Sequence, residues 1–170
     1  MNTPRFFSHQ PSSVGARVDL SESAARHAVR VLRLRDNDDL TVFDGTGGEV
    51  SARIVHVARD AVVAEAMQRV DLERESPVDI TLVQALQSGE KMDLTVQKAV
   101  ELGVKRIVPV SSRRGVVRLE GDRALRRVAH WRGAAAAACE QCGRNRVPEV
   151  AEIVGLDRWL GQPARGEGVL

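Results

Sequence analysis

Residues 134–150, AAAAACEQCGRNRVPEV, gather the side chains of this chain best suited to act on an anionic partner. Arg144 and Arg146 flank Asn145, so two cations and an amide stand side by side. A guanidinium is a planar fork of donors that keeps its charge, which suits it to phosphate. Glu140 places a carboxylate just ahead of them. Cys139 and Cys142 have CxxC spacing. A structural zinc takes four ligands, and the chain has no second pair. A redox CxxC sits at a helix start, where thiolate is stabilised; this one falls at a helix end. No metal site is expected. His27 and His56 have no Cys or His at ligand spacing, and both read as structural or surface residues. There is no GxGxxG, Walker A or HExxH pattern, and nothing resembles a Ser–His–Asp arrangement.

A helix must carry this stretch. The alanine run has high helix propensity, Gly143 is a stop, and Pro148 prevents resumption. The helix is expected over 122–142, opening on Asp122. Arg123, Arg126 and Arg127 lie near its positive end, an unfavourable place for cations unless they meet phosphates. Ahead of it, 78–85 reads as a mostly apolar strand. A helix follows from Ser88 to about 102, with Met92, Val96, Ala99 and Val100 inward and Gly103 as stop, and then a strand at 106–110. That order implies a parallel pair with a right-handed crossover. The basic loop 111–119, SSRRGVVRL, leaves the carboxyl end of the second strand, where open α/β sheets place ligands. Residues 149–154 are expected to add a third strand and 156–160 a short helical turn. The tail GQPARGEGVL has a loop composition.

The first part of the chain has another character. Strands are expected at 4–7 and 18–20. Ser21 is an N-cap, and the helix it opens is expected to run to about 34, with Ala24, Ala28, Val31 and Leu32 on or near one face. Arg26, Arg30 and Arg33 recur on another face, either as solvated charges or as a phosphate-tracking ridge. Strands follow at 39–43, 49–58 and 61–70. The first two are joined by DGTGG (44–48), whose glycines suit positive φ and which lies in a hairpin, not at a helix start. Val50, Ala52 and Ile54, with His56 next in register, share one face. Short strands around one helix predict a small barrel or sandwich. DLERESP (71–77) breaks the pattern and marks the boundary between a unit at 1–72 and one at 73–170.

Bulk numbers limit the function. At 43% hydrophobic the chain can bury a core, and no apolar run is long enough to span a bilayer. With no signal-peptide pattern and only two cysteines, a cytoplasmic protein is expected. Residues 105–146 hold eleven Lys+Arg against three Asp+Glu, whereas 1–72 hold nine against ten. Such a basic segment suggests a polyanion, most often nucleic acid. Aromatics are only 3%, with no tyrosine, so phosphate contacts and shape rather than base stacking are expected to hold it.

Several of these motifs together resemble the ribosomal RNA small subunit methyltransferase E family, of the SPOUT class. They are PRFF at 4–7, His27 with VLR at 31–33, FDG at 43–45, the run 84–109 containing GEKMDLTVQKAVELGVKRIVP, Trp131, and EQCGRNRVP at 140–148. The resemblance implies an α+β two-domain protein: an N-terminal PUA-like β-barrel that docks RNA, then the first part of an α/β SPOUT domain, a knotted Rossmann-like fold. It implies methylation of a uridine N3 in 16S rRNA of the small ribosomal subunit, with S-adenosylmethionine as cofactor, and a homodimer. The family's serine–glutamate–arginine–serine segment reads Ser112-Arg113-Arg114-Gly115 here, so only Ser112 and Arg114 carry over. No counterpart of the family's GPEGG-type loop and knot is found, so the cofactor site is expected in a missing C-terminal part and the chain is expected to be inactive alone.

Methylation at N3 needs the imide proton to leave, and cations near the base oxygens would stabilise the anion. On that basis Arg144 or Arg146, with Asn145, is expected to act at the base, and Glu140 is a possible general base. Arg144 and Arg146 could instead meet backbone phosphate, or pair with Glu140 and Glu149. Arg5, Arg26, Arg30, Arg33, Ser112, Arg114 and Asn145 are the expected RNA-binding residues. A non-catalytic RNA- or ribosome-binding module is the competing expectation, and a different RNA target such as tRNA a third.

Overall fold

The computed structural model describes residues 3–10 and 13–162. They form two compact units, residues 1–77 with 136–147 and residues 78–135 with 148–170. The grouping follows packing rather than chain order, so the last turns of the long helix and the loop after it belong to the first unit.

The first unit is a curled five-stranded sheet of order β1-β3-β4-β5-β2, with β1 Arg5–Phe7, β2 Arg17–Asp19, β3 Asp39–Phe43, β4 Glu49–Val57 and β5 Val62–Val70. Only β1 and β3 run parallel; the other neighbours are antiparallel. Its inner face is apolar by strict alternation. Phe6, Val18, Leu40, Val42, Ala52, Ile54, Val62 and Ala64 close over Ala25 and Ala28 of the helical segment. His56 does not continue the buried face. The register shifts between Ile54 and His56, a bulge that turns the imidazole out to solvent.

Ser21 caps α1 (Glu22–Arg26) by accepting from Ala24 N at 3.3 Å. The expected run to residue 34 is corrected. From His27 to Val31 the turns widen to π geometry, and Leu32 N bonds to His27 O at 3.1 Å. The wider turn shifts the following side chains by about 100°, the angle of one residue. Ala28 stays buried, but Val31 and Leu32 rotate outward, 64% and 40% exposed. Arg33 then takes φ +56° and ends the segment.

The second unit is a parallel sheet, β6 (Thr81–Ala85), β7 (Arg106–Ser111) and β8 (Glu149–Val150), with β9 (Val154–Gly155) also on β7. Helix α2 (Glu90–Glu101) makes the crossover, and Met92, Val96, Ala99 and Val100 are its buried residues, the stripe expected from spacing. Gly103 stops it at φ +87°. The long helix α3 spans Gly121–Cys142, and α4 spans Leu156–Leu160. Asp93 of α2 joins α3 by accepting from Trp131 Nε1 at 3.1 Å, with His130 Nε2 3.0 Å away. Trp131 is fully buried, so its indole N–H needs that acceptor.

The third strand expected over 149–154 is split, and Pro109 explains the split. Ile107 O accepts from Ala151 N at 2.9 Å, so odd residues of β7 face β8 and β9; Val110 O accepts from Leu86 N at 2.9 Å, so even residues face β6. Pro109 belongs to the odd set and has no N–H to give. The ladder lapses there. Val154 lies four positions after Val150, while their partners Ile107 and Val110 are three positions apart.

Candidate functional site

The loop after α3 is built around Gly143. Its φ is +86°, its N–H closes the helix onto Cys139 O at 3.0 Å, and a side chain there would meet Arg74 Nη1 at 2.9 Å. The positive φ favours glycine, while the Arg74 guanidinium, at the end of a flexible side chain, could shift to admit a Cβ. Beyond it, Arg144 and Asn145 turn inward and Arg146 turns outward.

Arg144 donates from Nε to Glu75 Oε1 at 3.0 Å and from Nη2 to Glu75 Oε2 at 2.5 Å. The two side chains are only 7% and 6% exposed, so this is a buried bidentate pair. Burial opposes the Arg144 charge, but the hydrogen bonds and charge of Glu75 outweigh it and raise its pKa. Asn145 accepts at Oδ1 from Arg5 Nη2 at 2.6 Å and donates from Nδ2 to Leu72 O at 3.1 Å. Arg5 pairs in turn with Glu49, at 10% and 11% side-chain exposure, and lies over the Phe43 ring at 5.1 Å. Arg74 bonds both Gly143 O, at 3.2 Å, and Glu49 Oε1, at 3.3 Å.

Arg146 sits differently. Its backbone forms an antiparallel bridge with Thr46, its guanidinium donates to Thr46 O, and Nε lies 3.5 Å from Glu73 Oε2. Its side chain is still 50% exposed. Gly47 makes room for it: a Cβ there would lie 2.7 Å from Arg146 Nη2. Val147 N completes the dock on Gly45 O at 3.1 Å. The DGTGG turn is thus a seat for the loop as well as a hairpin.

Glu140 accepts from Phe7 N at 2.8 Å. Burial raises its pKa, against the Phe7 hydrogen bond and the charges of His27 and Arg5. Cys139 is buried, its thiol pushed up to about 12 by that burial, and it donates to Arg146 O at 3.5 Å. It is a neutral packing group.

Of the residues expected at the site, Arg5, Glu140, Arg144, Asn145 and Arg146 come together in the first unit. Arg26 and Arg30 are exposed but ion-paired, with Glu22 and with Asp60 (2.6 Å) respectively; Arg33 is exposed with no carboxylate partner among the described residues. Ser112 and Arg114 follow β7 in the second unit, and Arg114 is exposed with no carboxylate partner among the described residues. Glu49, Glu73, Arg74 and Glu75 were not anticipated. For Glu73, Arg74 and Glu75 the signal was present as charge density in DLERESP, a stretch that reads as a boundary.

The first unit holds a PUA-like sheet and a cationic loop fixed by buried ion pairs, and the second unit holds a parallel α/β sheet. Residues 74–169 match the family model of the RNA methyltransferase domain, and residues 20–67 that of the RNA methyltransferase PUA domain. The chain belongs to the ribosomal RNA small subunit methyltransferase E family. A solved member from Neisseria gonorrhoeae, bound to S-adenosyl methionine, is 44% identical with a TM-score of 0.89, over 96% of this chain and 67% of that one. A methyltransferase of Legionella pneumophila in complex with SAM is 33% identical with a TM-score of 0.92, over the same shares. The curated ribosomal RNA small subunit methyltransferase E of Buchnera aphidicola is 27% identical, over 92% of this chain and 62% of the relative. The chain therefore spans about two thirds of the length of these relatives.

Proposed function

We propose that this chain is the RNA-recognising portion of an S-adenosylmethionine-dependent enzyme that methylates uridine N3 in 16S rRNA. The enzyme would act in the cytoplasm as a homodimer. The observation that carries this proposal is the family match, joined to a loop that keeps one arginine half-exposed on a rigid seat. Within that reading, residues 1–72 dock RNA and 73–170 belong to the methyltransferase domain. Arg146 faces the RNA, where its charge favours the deprotonated imide. Arg144 and Asn145 serve the same site from behind, holding the backbone that carries it. Glu140 is the candidate base, its raised pKa making it a better proton acceptor than an ordinary carboxylate. Arg33 and Arg114 take phosphate directly, while Arg26 and Arg30 exchange a carboxylate for a phosphate; Arg5 supports the loop and Ser112 the basic segment.

The cofactor would supply a methyl group on a sulfonium. At the carboxyl edge of the parallel sheet, Leu86 N bonds Val110 O, Gln87 accepts from Thr95, and Gly115 N bonds Ser112 O. These hydrogen bonds commit those polar groups to one another within the second unit.

The test is mass analysis of small-subunit rRNA from a strain lacking the gene. Loss of one N3-methyluridine is the expected result; an unchanged modification profile would overturn the proposal. The second reading, a non-catalytic RNA-binding module, is favoured by that committed edge. Measurable heat in a calorimetric titration of the chain with S-adenosylmethionine would overturn the second reading.

A further inference from the structure

The segment between the two sheets does more than connect them. Four consecutive residues each hold a different residue of the loop. Leu72 O takes Asn145 Nδ2, Glu73 pairs with Arg146, Arg74 donates to Gly143 O, and Glu75 takes both arms of Arg144. Arg74 and Arg5 extend the frame to Glu49 of β4. Packing alone would not need charges here. A buried ion pair is a weak source of stability, because desolvation offsets most of the attraction, and an apolar pair of similar volume holds a core as well. What a bidentate guanidinium–carboxylate pair adds is direction, since both planes must align.

We propose that Glu75 is a positioning residue. By fixing Arg144, it sets the backbone of the next residues so that the Arg146 guanidinium meets RNA. The segment 72–75 is therefore a clasp for the RNA-facing loop. This rests on the RNA role of Arg146 proposed above. It assigns Glu75 no contact with RNA.

The test uses the full chain and a labelled hairpin of small-subunit rRNA. Glu75→Gln keeps the side-chain shape and removes the charge. Arg146→Ala removes the RNA-facing group. Each single variant is expected to weaken RNA binding on the order of tenfold. The double variant is expected to bind no more weakly than either single one, since Glu75 acts only through Arg146. Amide exchange at residues 146 and 147 should speed up in Glu75→Gln, while β4 and β5 amides keep their protection, which also shows that the variant folds. Additive losses in the double variant, or full RNA affinity in Glu75→Gln where Arg146→Ala binds weakly, would overturn the positioning role. If Arg146→Ala binds RNA normally, the RNA reading of the loop fails, and exchange at 146 and 147 alone then decides the clasp: faster exchange supports it, unchanged exchange overturns it.

Discussion

Replacing Arg144 by alanine should destabilise the first unit by about 3–5 kcal/mol, the range for breaking one side of a buried pair. Exposure sets the magnitude. With Arg144 and Glu75 at 7% and 6%, the value for a surface pair, about 0–1 kcal/mol, does not apply. Arg144→Ala strands the Glu75 carboxylate with neither its cation nor water. Replacing both residues by leucine strands no charge, so the double variant should be close to neutral in stability. The assay must report on the right unit. Both tryptophans, Trp131 and Trp159, lie in the second unit, so indole fluorescence does not follow the unfolding of interest. Hydrogen exchange of β4 and β5 amides under increasing denaturant does follow it. A loss below about 1 kcal/mol for Arg144→Ala would refute the burial argument, and with it the view that this arginine is held rather than offered. A double-leucine variant as unstable as the single alanine would show that the pair itself supplies net stability.

Substitutions at two further positions probe the same logic. Glu140 has a raised pKa in the folded state, so the folded protein binds its proton more tightly than the unfolded chain does. Its contribution is full below the ordinary carboxylate value of about 4.3 and is lost as pH rises through the raised folded value. Glu140→Gln keeps an acceptor for Phe7 N, so it should be more stable than the wild type at neutral pH and lose that advantage in acid. A wild-type protein that gains on the variant with rising pH would contradict the assignment. In the second unit, Asp93→Ala removes the acceptor of the buried Trp131 N–H and should cost about 1–3 kcal/mol in fluorescence-monitored denaturation. Asp93→Asn keeps an acceptor and should recover much of that loss; no difference between the two would mean that the hydrogen bond is not what matters.

Periodicity made the regular elements legible. The Met92, Val96, Ala99 and Val100 stripe, the alternation along β4 and the Ser21 cap all follow from local rules, and all are present. What was not legible came from single insertions and from distance. One residue too many per turn at 27–31 turns Val31 and Leu32 outward, and no hydrophobic pattern encodes that choice. Pro109 did carry a local signal for the broken third strand, but its meaning depends on which neighbour its missing N–H would face. The loop's chemistry depended on distance. Glu140 and Glu149 were the nearby carboxylates weighed as partners for its arginines, yet Arg144 pairs with Glu75, 69 residues away. The Cys139–Cys142 spacing invited metal or redox chemistry, whereas Cys139 lies buried with a thiol pushed up to about 12.

Charge shows most clearly how far composition falls short of a surface. The excess of eight positive charges over 105–146 counts every arginine equally. In the folded chain Lys105, Arg106, Arg113, Arg144 and Arg146 answer to Asp79, Glu149, Asp157, Glu75 and Glu73. Arg114, Arg118, Arg123 and Arg126 are exposed and have no carboxylate partner among the described residues. A phosphate approaching a paired arginine must displace or share its carboxylate, whereas one approaching an unpaired arginine displaces only water and small ions. Under the proposed function, long-range attraction of RNA would fall chiefly to the unpaired arginines of residues 114–126, on the loop after β7 and the start of α3, where the helix dipole would add to it. The 143–148 loop, its cations held by carboxylates, is suited instead to fixing geometry at short range. Attraction and positioning would then belong to different arginines, and a count along the sequence cannot separate paired from unpaired ones.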